Sequence, residues 1–226
     1  MNGRASEHIL YFHGFASSPH SRKGTLLREL LGDFELDTPD LNVPSFERLD
    51  FDAMVELGVE RARAIAPSVI VGSSLGSMVA LAVAGRVEHP SHIVLIAPPL
   101  GMARHWTSRL PDGDPISVFN HARNADAPIH RAFFERMARV DVDREPPAQR
   151  VTVIIGRNDE TVPFAGVRER WSEWESSGKL AEGSRFVEIP NGDHGLVDFV
   201  DVIAGAVRDA TTAPRPWSAR LRAGSP

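Results

Sequence analysis

Six short apolar runs, each closed by loop residues and separated by stretches of helical spacing, constrain this chain more than any other feature. They are Ile9–Phe12, Phe34–Thr38, Ser68–Val71, His92–Ala97, Val151–Ile155 and Arg185–Ile189. Short apolar runs of this kind suit strands covered on both faces, as in a parallel sheet. Between them, Leu26, Leu27, Leu30 and Leu31 form one helical stripe, and Phe51, Met54, Val55, Val59, Ala62 and Ile65 form a second. A third helix is expected from Leu75 to Val87, and a fourth after Pro128, marked by Ile129, Phe133, Met137 and Val140. Pro163–Ser176 gives a fifth, and Leu196, Phe199, Val200, Ile203 and Val207 give the last. Strands alternating with helices fold into an open, mainly parallel α/β sheet of about six strands, with right-handed crossovers and helices on both faces.

Two segments break the rhythm. Residues 98–127 carry Pro98, Pro99, Pro111 and Pro115 together with Trp106 and Phe119. A loop this long inside a domain is usually a functional lid or a disordered insert. Residues 211–226 hold Arg215, Arg220 and Arg222, three prolines and no acid, and read as a flexible basic tail beyond a domain spanning 1–210. A formal net charge of −5 argues against a nucleic-acid partner. With no cysteine, disulfides, thiolate catalysis and Cys-ligated zinc are excluded. The histidines show no ligand spacing beside an acid, so no metal is expected. The run His8–Phe12 is too short for the core of a signal peptide, and no stretch approaches the ~18 apolar residues of a membrane span. The expectation is a cytoplasmic protein without membrane insertion.

The chemistry concentrates where runs end. Gly72-Ser73-Ser74-Leu75-Gly76 lies between a strand-like and a helix-like stretch. The Gly-x-Ser-x-Gly spacing selects Ser74, not Ser73, as the nucleophile of a tight strand-to-helix turn. The Leu75 amide, at a helix N-terminus, then faces a developing oxyanion. A serine needs a base, and the base an orienting acid. Asp159 follows the run Val151–Ile155, with Glu160 as its neighbouring competitor, and His194 follows Arg185–Ile189. Asp159 could instead cap the helix after Pro163, and His194 could be an ordinary loop histidine. The joint order Ser, Asp, His, each just past a strand, points to a triad. The first run ends in His13-Gly14-Phe15, which places the amide of Phe15 or Ala16 as the second oxyanion donor, paired with Leu75. His13 comes too early in the chain for the base. With Gly14 and Trp106 it is a candidate substrate contact, loop packing being the alternative. Arg22 and Lys23 could meet an anionic group, but read more simply as a solvated helix start.

The stretches LYFHGFASSPHSRKG, VGSSLGSMVAL, GRNDETVP and GDHGL together resemble the α/β-hydrolase superfamily, and more narrowly the YqiA-type small bacterial esterases. The resemblance implies a cofactor-independent carboxylesterase with Ser74 as nucleophile, Asp159 as acid and His194 as base. It implies a small-molecule ester or thioester as the partner. Thioester hydrolysis, amide cleavage or perhydrolysis on the same triad is the alternative. A non-catalytic binding protein on the same fold is a third reading, from another class.

Overall fold

The computed structural model describes residues 7–102, 106–107 and 110–212. Six strands form one parallel sheet: β1 (His8–Phe12), β2 (Glu35–Asp37), β3 (Val69–Ser73), β4 (His92–Ile96), β7 (Arg150–Gly156) and β8 (Arg185–Ile189). Their order is β2-β1-β3-β4-β7-β8, and every neighbouring pair is parallel. The helices are α1 (Arg22–Leu30), α2 (Phe51–Ile65), α3 (Leu75–Ala84), α4 (Arg131–Met137), α5 (Phe164–Ser176) and α6 (Val200–Thr212). Among the described residues no helix is long and apolar enough to cross a membrane.

The period-two alternation of strand side chains divides the core into two layers. Leu10, Phe12, Ile70, Ile93, Leu95, Val151, Val153 and Ile155 face α2, α3, α4 and α5. Ile9, Tyr11, Val69, Val71, Val94, Ile96 and Ile154 face α1 and α6. Both faces of the central strands are therefore apolar, and this is why those runs lack polar alternation. β1 is followed in the chain by β2 on one side, while β3 lies on its other side. The strand order thus reverses between β1 and β3, and at such a point open α/β sheets bind ligands at their strand C-termini.

The sequence expectations meet the structure closely at the six strands and less so at the edges. α3 stops at Ala84, before Val87. Residues 98–127 are not all loop: Ile116–Asn120 (β5) and Ala125–Ile129 (β6) pair as an antiparallel hairpin. Ile129, expected in the fourth helix, is the last residue of β6, and that helix begins at Arg131. The run ADAPI has neither β-branched alternation nor a free amide at Pro128. Such a segment can pair in a two-stranded edge, but does not read as a strand. Asn120 closes the turn by accepting the Arg123 amide on its carbonyl (3.1 Å) and on its Oδ1 (3.0 Å). The basic tail beyond Thr212 lies outside the described residues.

Candidate active site

Ser74 sits at the turn from β3 into α3 with φ 52° and ψ −120°, a conformation that costs a non-glycine residue of order 1–3 kcal/mol. The neighbours hold it there. The Ser74 amide donates to the Ile96 carbonyl of β4 (2.8 Å), and the Ser77 hydroxyl to the Gly72 carbonyl (2.9 Å). The two flanking glycines are steric requirements. A Cβ on Gly72 would lie 2.6 Å from Ser77 Cα, and one on Gly76 2.7 Å from the His13 carbonyl oxygen. Neither space admits a side chain.

The loops after β7 and β8 are drawn together by backbone contact. Arg157 donates to the Ile189 carbonyl and Asn158 to the Gly192 carbonyl, both at 2.9 Å. Gly156 and Gly192 touch so closely that a Cβ on Gly156 would lie 2.9 Å from Gly192 Cα. This approach places Asp159 and His194 side by side. His194 Nδ1 lies 3.0 and 2.9 Å from the two Asp159 carboxylate oxygens, and His194 Nε2 lies 3.1 Å from Ser74 Oγ. The Asp159 side chain is fully buried. Its Oδ1 also accepts the amides of Thr161 (2.9 Å) and Val162 (2.7 Å). Asp159 therefore binds the turn before α5 and is not that helix's cap, which is Pro163. Glu160, the competing acid, accepts the His194 backbone amide at 3.4 Å and does not reach the ring in this arrangement.

The loop after β1 lies against the elbow: a Cβ on Gly14 would sit 3.4 Å from Ser74 Cβ. Phe15 anchors this loop through a stacked contact with Phe133 at 5.8 Å and edge contacts with Phe134. His13 turns away from the cleft. Its ring is buried, accepts the Leu41 amide on Nε2 (3.0 Å) and lies 3.3 Å from Asp40. Burial holds its pKa below the ordinary histidine range, as suits a neutral ring that accepts a hydrogen bond.

A cleft of about 530 Å³ opens over Ser74, bordered by Gly14, Phe15, Ser73 and His194, a volume suited to a small molecule. Trp106 is not among its described lining residues; the indole packs edge-on against Phe133. Two lining residues, His121 and Tyr11, escaped the sequence reading, and a third, Lys23, departs from the simpler of its two readings. His121 borders the cleft from the tip of the β5–β6 hairpin, whose Ala122 amide donates to the Ala16 carbonyl (3.3 Å). Tyr11 borders it from β1, its hydroxyl pushed up to about 12 by burial. Lys23 is not a solvated helix start: it is buried, and its Nζ donates to Ser73 Oγ at 2.9 Å. Burial pushes the Lys23 ammonium down to about 8, against the opposing charges of Asp193 and Asp159. Among the described residues no group of three His, Asp or Glu side chains is placed to hold a metal ion.

Solved structures share this architecture. A candidate hydrolase from Agrobacterium vitis S4 superposes with a TM-score of 0.75 at 17% identity, over 91% of this chain and 88% of its own. Est1E from Butyrivibrio proteoclasticus, with ferulic acid bound, gives 0.69 at 16% identity over 92% and 89% of the two chains. The esterase domain of a Rhodothermus marinus protein gives 0.67 at 17% identity over 89% and 84%. No curated protein matches the sequence. At these identities the likeness establishes the α/β-hydrolase fold. The family model of UPF0227, an uncharacterised protein family, matches residues 8–207, and the chain belongs to that family.

Proposed function

We propose that this protein is a serine hydrolase that cleaves carboxylic esters of small acyl substrates through Ser74, His194 and Asp159. The observation that carries the reading is the unbroken relay from Ser74 Oγ to His194 Nε2 (3.1 Å) and from His194 Nδ1 to Asp159 (2.9 Å). Ser74 Oγ attacks the ester carbonyl and His194 Nε2 takes its proton. Asp159, buried and already bound by two amides, holds the imidazole in the tautomer that leaves Nε2 free to accept. The tetrahedral oxyanion is received by the amides of Phe15 and Leu75, the latter at the N-terminus of α3. His194 then protonates the leaving alcohol, and water repeats the cycle on the acyl-enzyme.

The esterase neighbours favour an ester over other acyl donors, and an acyl-donor panel that includes thioesters checks the choice. The β5–β6 hairpin, tied to the oxyanion loop through Ala122 and Ala16, serves in this reading as a cover over the cleft. The test is Ser74→Ala. Turnover of p-nitrophenyl acetate is expected to fall on the order of 10⁴-fold, because triad members act as a unit. Labelling by a fluorophosphonate probe is expected to disappear with it. A variant that keeps most of its turnover refutes the assignment.

A further inference from the structure

The relay leaves one buried charged group of the cleft, Lys23, without a role. Lys23 is 9% exposed, borders the same cleft as Ser74, and among the described residues finds one acceptor, the neutral Ser73 hydroxyl. Among the described residues no carboxylate is placed within ion-pair distance of its ammonium; Asp159 and Asp193 act on it only through space. Burying a cation with one neutral partner is unfavourable, and sites that do so commonly use the charge. An ammonium has three protons to donate, so Ser73 leaves two for a ligand. Arg22 and His121 border the same cleft, and Glu160 is the carboxylate among its described lining residues. The recess at Lys23 is therefore built for a negative group, lined by the hydroxyl-bearing Tyr11, Ser21 and Ser73.

We propose that Lys23 receives a carboxylate carried by the substrate, so that the cleft selects esters bearing a carboxylate near the scissile carbonyl over uncharged esters of equal size. Position supports this. Ser73, which Lys23 holds, is the immediate neighbour of Ser74 in the chain, and consecutive Cα atoms lie about 3.8 Å apart. The ammonium is then within roughly 10 Å of the nucleophile, a span that a succinate-sized or glutarate-sized skeleton covers once its contacts at both ends are included. The carboxylate can belong to the acyl half, as in a half-ester of a dicarboxylic acid, or to the alcohol half, as in an acylated hydroxy acid. The chemistry at Lys23 is the same for both.

The inference rests on the hydrolase reading for its kinetic arm, and has a binding arm that does not. Kinetically, monomethyl succinate is compared with methyl butanoate for the acyl half, and acetoxyacetate with ethyl acetate for the alcohol half. The expected result is a kcat/KM preference of about tenfold or more for the charged member of at least one pair. Lys23→Met is expected to reduce that preference by about tenfold or more. The ratio is read within each variant, so a general loss of turnover cancels. Titration calorimetry then measures succinate, glutarate, butyrate and inorganic phosphate against wild type and Lys23→Met. Dicarboxylate binding that Lys23→Met removes supports the proposal.

Equal preference for charged and neutral esters overturns it, as does dicarboxylate binding that survives the substitution. Phosphate binding more tightly than either dicarboxylate, and depending on Lys23, overturns the choice of a carboxylate. If fluorophosphonate labelling of Ser74 fails while Lys23-dependent dicarboxylate binding persists, the hydrolase reading falls and the anion site stands. Thermal melting separates recognition from scaffolding. Methionine relieves a buried charge, so Lys23→Met is expected to melt at the same or a higher temperature. A lysine that merely supports the elbow would lower the melting temperature when replaced.

Discussion

A buried basic side chain at one end of the sheet and one at the other, His92 and Lys23, are held in opposite ways. At the N-terminal end, His92 of β4 lies among strands, its Nε2 2.9 Å from Thr152 Oγ1 of β7. Burial, with the charges of Arg185 and Arg150 behind it, pushes its imidazole down to about 4, so the ring is neutral at pH 7. Its Nδ1 is buried and has no hydrogen-bond partner among the described residues. At the C-terminal end, Lys23 is pushed down to only about 8 and remains charged at pH 7. One group is a neutral filler in a closed layer; the other is a cation at the wall of a cleft. Burial alone is common to both. Charge state and access separate a functional recess from a packing compromise, and the chemistry of this fold collects where loops, not strands, set the spacing.

The largest effect expected from breaking this asymmetry is at Asp159. Asp159→Asn can still accept the Thr161 and Val162 amides, but turns a donor toward His194 Nδ1. The wrong tautomer is expected to reduce esterase turnover about 10⁴-fold, with a melting temperature near wild type. Loss of folding in place of loss of turnover would make Asp159 a structural group like His92. Steady-state kinetics beside a thermal melt decides it.

Gly76→Ala tests the steric side of the same end. The added Cβ meets the His13 carbonyl oxygen at 2.7 Å and the Phe12 backbone as well, so α3 or the end of β1 must shift to admit it. Denaturant unfolding is expected to show a loss of about 3 kcal/mol. A near-neutral result would mean that the β1 loop is free to move away from the elbow.

At the other end, the His92 pair predicts an acid limb. Its folded pKa of about 4 lies below the ordinary 6.5. Between those values the unfolded chain binds more protons, so stability falls as pH falls from about 6.5 to 4. The shift corresponds to about 3 kcal/mol at the acid end of that window. The double variant His92→Val, Thr152→Val removes the titrating ring and the hydroxyl it would orphan. Its stability is expected to decline less over this window than that of wild type, with esterase activity retained. Parallel pH profiles of unfolding free energy would show the two curves converging if His92 is responsible, and equally spaced if it is not.

The same contrast explains what the sequence discloses. The sheet is legible because its central strands are apolar on both faces and close on turn residues: His13-Gly14 after β1, Gly72-Ser73 in β3, Pro98-Pro99 after β4 and Gly156 in β7. Ser74, Asp159 and His194 stand out because the glycines around them are forced by backbone contact: Gly72 and Gly76 at the elbow, Gly156 and Gly192 between the other two loops. Lys23 is legible only as one of two readings, a contact for an anionic group or a solvated helix start. Next to Arg22 at a helix start it has the pattern of a solvated charge, and only the packing of α1 beside β1 and β3 buries it. The hairpin is hidden for a local reason, since ADAPI carries no strand signature and pairs only because ISVFN lies opposite. Trp106 and His13 drew attention by residue type. The packing of one on Phe133 and the burial of the other beside Leu41 are tertiary outcomes.

The smallest expected effect, and the sharpest test of the comparison, is the alkaline limb at Lys23. Its folded pKa of about 8 lies below the ordinary 10.5, so between these values the unfolded chain binds more protons than the folded one. Stability therefore rises with pH across that window, opposite in position to the acid limb of His92. The groups acting on the ammonium are Asp193 and Asp159 through space and Ser73 by hydrogen bond; Arg22, Tyr11 and His194 border the same cleft. Tyr11, raised to about 12, acts the other way, because the unfolded tyrosine ionises first, near 10, and stability declines above that. A scan ending at about pH 9.5 keeps the two apart. Over it, wild type is expected to gain about 2 kcal/mol relative to Lys23→Met. Saturating dicarboxylate should suppress the gain, since a ligand held by the charged ammonium raises its pKa. A wild-type curve parallel to that of Lys23→Met, with or without ligand, would mean that Lys23 does not carry a strained charge, and the contrast between the two ends of the sheet would close.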